Sequence, residues 1–240
     1  MSNARRRAFI GDMMIIHAAV DILANAELKI WYLLPAPEYQ PMDFHHWGFE
    51  CCCAICADVS VTKPRVLETR VRHRAQIAIA LKNSSNRLSL TRAETLIERL
   101  AETYPHPLKQ VLQLGLWEPL TLIAGVYERQ KRPEEAVKAA NRPLAAVGFV
   151  LEGFGWEDDV EGPLVIKKWG LAMDDLVMLL IFRRSLFDVA PERAIQVERY
   201  ARMAYLICVG EEASVDATYG MSLKVACGVR PESQAEGWVV

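Results

Sequence analysis

The sequence predicts an α+β chain, with a short β-rich segment at its start and an all-α remainder. Three observations point there. Short apolar runs and period-two alternation fill residues 1–42. Residues 43–60 have no sustained periodicity but hold four of the six cysteines. From about Lys63 onward, apolar residues recur at helical spacing. Alternation with a period of two buries one face of a strand, and recurrence at three and four residues buries one stripe of a helix.

In the first zone, Phe9-Ile10 and Met13-Met14-Ile15-Ile16 are apolar runs split by Gly11-Asp12. Asp21 to Asn25 reads as a turn. Ala26 to Tyr32 reads as a strand, with Leu28 and Ile30 on one face and Glu27 and Lys29 on the other. Pro35, Pro37 and Pro41 then impose an irregular loop, because proline removes backbone donors.

The helical zone is punctuated more clearly. Leu116, Leu120, Ile123, Ala124 and Tyr127 share one helix face, as do Val197, Tyr200, Ala201, Ala204 and Cys208. Lys131-Arg132-Pro133 breaks the first of these helices, and Glu134-Glu135 opens the next, since proline and acids suit a helix start. Further helices are predicted over 63–82, 89–103, 165–187 and 192–209, with a loop from Gly153 to Gly162. Ile123, Ala124, Tyr127 and Ala136 match some positions of a tetratricopeptide helix pair. A TPR-like helical domain of antiparallel helix pairs packed side by side, rather than a recognisable tandem array, is the expected form of residues 61–240.

Composition excludes more than it identifies. The 240 residues carry 28 Lys and Arg against 30 Asp and Glu, a net charge of −2. That is no basic coat for nucleic acid and no charged disordered chain. Arg5 to Arg7 precede Ala8-Phe9-Ile10, but Gly11 and Asp12 end that run at once, so no secretory signal is expected. The longest apolar run, Leu176 to Ile181, is too short to span a bilayer and is bounded by Asp175 and Arg183. The reading is a soluble intracellular chain, in nucleus or cytoplasm, with no membrane role.

Cys51, Cys52, Cys53 and Cys56 lie within six positions, whereas Cys208 and Cys227 stand alone in apolar stretches. A disulfide scaffold would spread its cysteines. Cys51, Cys53 and Cys56 form Cys-x-Cys-x-x-Cys, and zinc favours thiolates brought together by short loops. The bland alternative is a loop with chance cysteines.

These residues carry a resemblance. Trp47-Gly48-Phe49-Glu50-Cys51-Cys52-Cys53-Ala54-Ile55-Cys56 resembles the post-SET segment of SET-domain protein-lysine methyltransferases, closest to the SET-and-MYND-like group and its fungal relatives. Asp21-Ile22-Leu23-Ala24-Asn25-Ala26-Glu27-Leu28 is similar to that family's "D-I-x-x-G-E-E-L" segment, and Tyr32 follows it as the family's strand-end tyrosine does. Asn3 to Phe9 resembles the stretch that opens on the last residue of the Asn-His-Ser-Cys-x-x-Asn motif. The resemblance divides the chain into the end of a SET domain (1–42), a post-SET cysteine segment (43–60) and a helical TPR-like C-terminal domain (61–240).

The resemblance implies roles. Tyr32 would be the catalytic tyrosine that orients the lysine amine. Phe49 would stack beside the adenine of S-adenosylmethionine, Trp47 would line the methyl-transfer channel, and Asn3 would belong to the cofactor cradle. Cys51, Cys53 and Cys56 would hold zinc. Asn25-Ala26 stands where the family has Gly-Glu. The family's fourth zinc cysteine, its Asn-His pair and its earlier Gly-x-Gly segment have no counterpart in these residues. The expectation is therefore a truncated SET domain that is inactive or weakly active, with a protein lysine as the implied substrate. The alternative is a non-catalytic helical module that binds a partner peptide, or a zinc module using His46 as fourth ligand.

Other candidates carry ordinary readings. His45 and His46 read as loop histidines, His17 as a surface or satisfied core residue, and Cys208 and Cys227 as structural thiols. Arg65, Arg70, Arg72, His73 and Arg74 read as a solvated helix face, since no aromatics interleave with them, and no direct nucleic-acid contact is expected. Asp158, Asp159 and Glu161 lack calcium-loop spacing, and Asp174-Asp175 reads as a helix start.

Overall fold

The computed structural model describes residues 4–10, 13–18, 22–28, 48, 54–82, 87–104, 112–153, 156, 164–171, 175–209 and 213–218. Within them the chain is α+β: two small antiparallel hairpins and seven helices. Strands β1 (Ala4–Ile10) and β2 (Met13–Ala18) pair from Ala4↔Ala18 to Ile10↔Met13, with a register shift between Arg6 and Ala8. The apolar runs on either side of positions 11 and 12 are thus the two arms of a hairpin. The turn expected at Asp21–Asn25 is present: Ala26 N–H donates to Leu23 O at 3.0 Å, and Asn25 takes a left-handed φ of 64°. Asparagine tolerates that conformation better than most residues. Ala26 to Leu28 is not strand, and the rest of the strand expected to end at Tyr32 lies outside the described residues.

The cysteine segment is not wholly irregular. Helix α1 (Ala54–Val61) begins inside it. Then come α2 (Pro64–Lys82), α3 (Arg87–Ala101), α4 (Leu114–Arg129) and α5 (Pro133–Ala146). The pairs α2–α3 and α4–α5 pack as consecutive helices, with α2 and α3 also against α4. The expected apolar faces are in the core: Leu116, Leu120, Ile123, Ala124 and Tyr127 on α4, and Ala136 on α5, are all buried.

The break between α4 and α5 has a clear cause. Arg132 N–H donates to Tyr127 O and Lys131 N–H to Glu128 O, with Lys131 at φ 56°. This is a Schellman stop. Pro133 then occupies the first helical position, where its missing N–H costs nothing, and Glu134 and Glu135 face the helix N-terminus. Helix α5 ends the same way, with Gly148 at φ 92° and Phe149 N–H bonded to Leu144 O.

The helix expected over 165–187 is two elements. Residues Val150–Glu152 (β3) and Val165–Lys168 (β4) form a second hairpin, and the helix α6 starts only at Asp175 and runs to Phe187. Gly170 explains the separation. Its backbone lies so close to the end of α5 that an added Cβ would sit 2.4 Å from Val147 O and 2.5 Å from a Phe149 ring carbon. Leu171 N–H donates to the same Val147 O at 2.7 Å. Gly170→Ala is expected to destabilise the chain by about 1–3 kcal/mol, the usual cost of forcing atoms into a filled site. Urea unfolding would measure it, and an unchanged midpoint would contradict the close approach.

Helix α6 is enclosed almost all round: Leu176, Met178, Leu179, Leu180, Ile181, Phe182 and Leu186 are buried. It lies between α5 and α7 (Pro191–Val209), with α4 also in contact. The β1–β2 hairpin rests on α7. No helix among the described residues is long and apolar enough to cross a membrane.

Candidate functional site

Helix α1 is where the described structure meets the cysteine segment. Cys53 directly precedes its first residue, and Cys56 is half-buried in its first turn. Its inward face consists of Ile55, Asp58, Val59 and Thr62, at offsets of three, four and seven residues. Ile55 and Asp58 are buried, and Val59 and Thr62 are half-buried. Half of that face is polar, so apolar packing alone holds α1 weakly.

Asp58 is met by an enclosed cation. Arg70, on α2, has 0% exposure. Its Nη1 donates to Asp58 Oδ2 at 2.9 Å, its Nη2 to the Thr103 carbonyl at 3.0 Å, and its Nε to Thr103 Oγ1 at 3.1 Å. The flat guanidinium lies 3.7 Å from the centroid of the Tyr104 ring. Tyr104 in turn accepts the Gly115 N–H at 2.9 Å, at the start of α4. Thr62 Oγ1 donates to the Asp58 carbonyl at 2.6 Å. A single arginine therefore ties α1, the end of α3 and, through Tyr104, the start of α4 to α2. Arginine suits this place because its planar fork donates in several directions while its face stacks on an aromatic ring.

The reading of Arg65, Arg70, Arg72, His73 and Arg74 as a solvated face fails at Arg70, which occupies a core position in line with Ile77 and Leu81. Its neighbours are engaged too. Arg74 pairs with Glu118 on α4 at 2.6 Å, and Arg72 Nη2 reaches Thr69 Oγ1 at 3.3 Å. Burial, and then the nearby cations Arg72 and Arg99, hold the His73 imidazole below its ordinary pKa. Through Arg70 and Arg74 this stretch joins α2 to its neighbours.

A second buried polar group lies where α3 meets α4. The Tyr127 hydroxyl donates to a Glu94 carboxylate oxygen, and Arg132, itself paired with Glu135 at 2.7 Å, stands over the Tyr127 ring. Burial, reinforced by the bond to Glu94, raises the phenol pKa above its ordinary 10.0. The native state thus holds that proton more tightly than the unfolded chain. Its contribution to stability is complete below about pH 10 and is lost as the pH climbs towards the raised value. Tyr127→Phe is therefore expected to melt with a shallower fall of Tm above pH 10 than the parent. Parallel slopes from pH 9 upward would contradict it.

Around the second hairpin, Trp169 lies edge-on to Phe149 and to Tyr200, with centroids at 5.6 and 6.4 Å. The Tyr200 hydroxyl donates to Leu164 O at 3.0 Å, and Gln196 accepts the Leu164 N–H at 2.9 Å. These contacts pin β4 to α7.

Of the sequence-derived site residues, Asn3, Tyr32, Trp47, Phe49, Cys51 and Cys53 lie outside the described residues, and so do His45, His46, Cys227, Asp158, Asp159, Glu161 and Asp174. Of the catalytic, cofactor and metal residues implied by the resemblance, Cys56 alone is among the described residues. No group of three or more His, Cys, Asp or Glu able to hold a metal occurs among the described residues. The donor chemistry of Cys51, Cys53 and Cys56 nonetheless suits zinc, since thiolates are its preferred structural ligands and Cys53 and Cys56 have the usual x-x spacing. Sequence reasoning missed Asp58, Arg70, Thr103 and Tyr104. The available signal was the spacing of Arg70 from Ile77 and Leu81, offsets seven and eleven, which puts a charge on an apolar stripe.

Comparison with known proteins gives one informative likeness. Over 215 residues, 86% of the chain, it is 28% identical to a protein of Gibberella zeae named "Methyltransferase". The chain spans 29% of that relative's length. No protein-family profile matches the chain, and no solved structure does.

Proposed function

We propose that the chain forms part of a SET-type, S-adenosylmethionine-dependent protein-lysine methyltransferase, supplying the end of the SET domain (1–42), the post-SET cysteine segment (43–60) and a helical TPR-like domain (61–240). The observation that carries the methyltransferase part of this reading is the 28% identity to a protein named a methyltransferase; the SET, lysine and zinc parts rest on the motif resemblance of residues 3–56. A match covering 86% of the chain extends far into the helical zone, so the likeness is not confined to the motif-bearing first 60 residues.

S-adenosylmethionine, when bound, supplies a methyl group on a sulfonium centre. The chain's own part is placement. On the resemblance, Tyr32 would direct its hydroxyl at the substrate amine, so that the neutral nitrogen lines up with the methyl group, Phe49 and Trp47 would wall the site against water, and Asn3 would complete one edge of the cofactor cradle. Such positioning and desolvation account for much of the acceleration in a reaction that needs little acid–base chemistry. Cys51, Cys53 and Cys56 would hold zinc, which would stiffen the post-SET segment. These 240 residues carry only part of the family's cofactor cradle, so the isolated chain is expected to bind S-adenosylmethionine more weakly than micromolar.

The test is methyl transfer by the protein expressed from its own gene, followed by mass spectrometry of lysine peptides. Transfer to a lysine ε-amine is expected, falling about 100-fold in Tyr32→Phe, the scale of loss for a misplaced reactant. Transfer to a small molecule, or an unchanged rate in Tyr32→Phe, sinks the proposal.

A further inference from the structure

We infer that Arg70 is a positioning residue for the post-SET segment: through Asp58 it sets where α1, and so Cys56, is held against the helical domain. The inference rests on the proposed post-SET reading of Cys56. The argument begins from what α1 lacks. It has eight residues, too few to be a stable helix alone. Among the described residues it packs along no other helix as α4 packs on α5 or α6 on α7. Ile55 is its single buried apolar side chain among those described. A helix held that lightly can slide or rotate unless a directional contact fixes it.

The Asp58–Arg70 pair is directional and rigid at its far end. Asp58 lies two residues beyond Cys56 in the chain, so the carboxylate and the thiol belong to the same short helix. Arg70 cannot follow a wandering α1, because Thr103 accepts from it twice and Tyr104 stacks on its face. Thr62 fixes the Asp58 carbonyl and lies within 3.4 Å of its second carboxylate oxygen, Oδ1. A buried ion pair contributes little net stability compared with apolar residues of similar size. What it adds here is one orientation for α1, and Cys56 shares that orientation.

The test uses the full chain with Asp58→Asn, which keeps the shape of the side chain and removes its charge, and Arg70→Lys, which keeps the charge and removes the fork. Arg183→Met is the control, because it breaks a comparable ion pair at 2.8 Å to Glu198, between α6 and α7 and away from α1. The first readout is the alkylation rate of Cys56 in chelator-treated protein, resolved by peptide mapping. Local opening of α1 should raise it about tenfold in Asp58→Asn and Arg70→Lys, with little change in the control. Equal rates in parent and both α1-clamp variants, or the same rise in Arg183→Met, would overturn the inference. The second readout is cobalt(II), whose thiolate absorption bands should appear in the parent and weaken and shift in the clamp variants. A parent without those bands refutes the zinc reading of the cysteines, while the alkylation rates still decide the role of Arg70.

Discussion

Asp58→Ala is expected to lower the unfolding free energy by about 3–5 kcal/mol, the cost of leaving one member of a buried ion pair without its partner. The guanidinium of Arg70 would stay enclosed at 0% exposure, still bonded to Thr103 but facing an apolar gap where the carboxylate stood. In a chain of this size that loss corresponds to a fall in Tm of roughly 6–20 °C. Joint replacement, Asp58→Leu with Arg70→Met, is expected to recover most of it, since removing both charges removes the unpaired one. Thermal melts of the single and double variants would check both statements. A double variant as unstable as the single would mean that losing the contacts of Arg70 with Thr103 and Tyr104 costs as much as leaving its charge unpaired.

Phe182→Ala should cost a similar amount, about 3–5 kcal/mol, for a different reason. Phe182 is fully buried at the middle of α6, with α5 and α7 on either side. Truncation removes a whole ring from contact and leaves a cavity that three helices cannot close without moving. Val177 on the same helix is 39% exposed. Val177→Ala is expected to change stability by no more than about 0.5 kcal/mol, as surface substitutions do. Comparable losses at the two positions in urea unfolding would contradict the enclosure of α6.

The legible parts of this fold were those whose signal extends over several turns. Helices α4, α5 and α7 have long apolar stripes, and the stop at Lys131 to Pro133 is local chemistry that reads directly from the residues. Three elements, β3, β4 and α1, escaped because they are short. Val165-Ile166-Lys167-Lys168 merges by composition into the apolar run that follows, and only the tight approach at Gly170 shows why a helix cannot start there. Ala54 to Val61 is apolar around most of its circumference, so it has no amphipathic period to announce a helix.

The candidate site divides along the same line. Tyr32, Asn3, Trp47, Phe49 and the cysteines were found through a motif resemblance, which needs no three-dimensional knowledge. Arg70 and Asp58 stand twelve residues apart and meet Thr103 after a further helix, so no local pattern links them. A charged residue is assigned to solvent unless a partner is in view, and the partner here appears only on folding.

The hairpin of β1 and β2 rests on α7, which begins at Pro191. During synthesis that docking surface does not exist until α7, which begins 173 residues after the end of β2, has been made. At ribosomal speeds of about 5–20 residues per second, the hairpin must wait roughly 10–40 s for its support, while α2 to α5 can pair as they emerge. The hairpin is then seated out of the order of translation: β1 and β2 leave the ribosome before α7 but dock only after it, and for that interval their edges are open to pairing with other nascent chains.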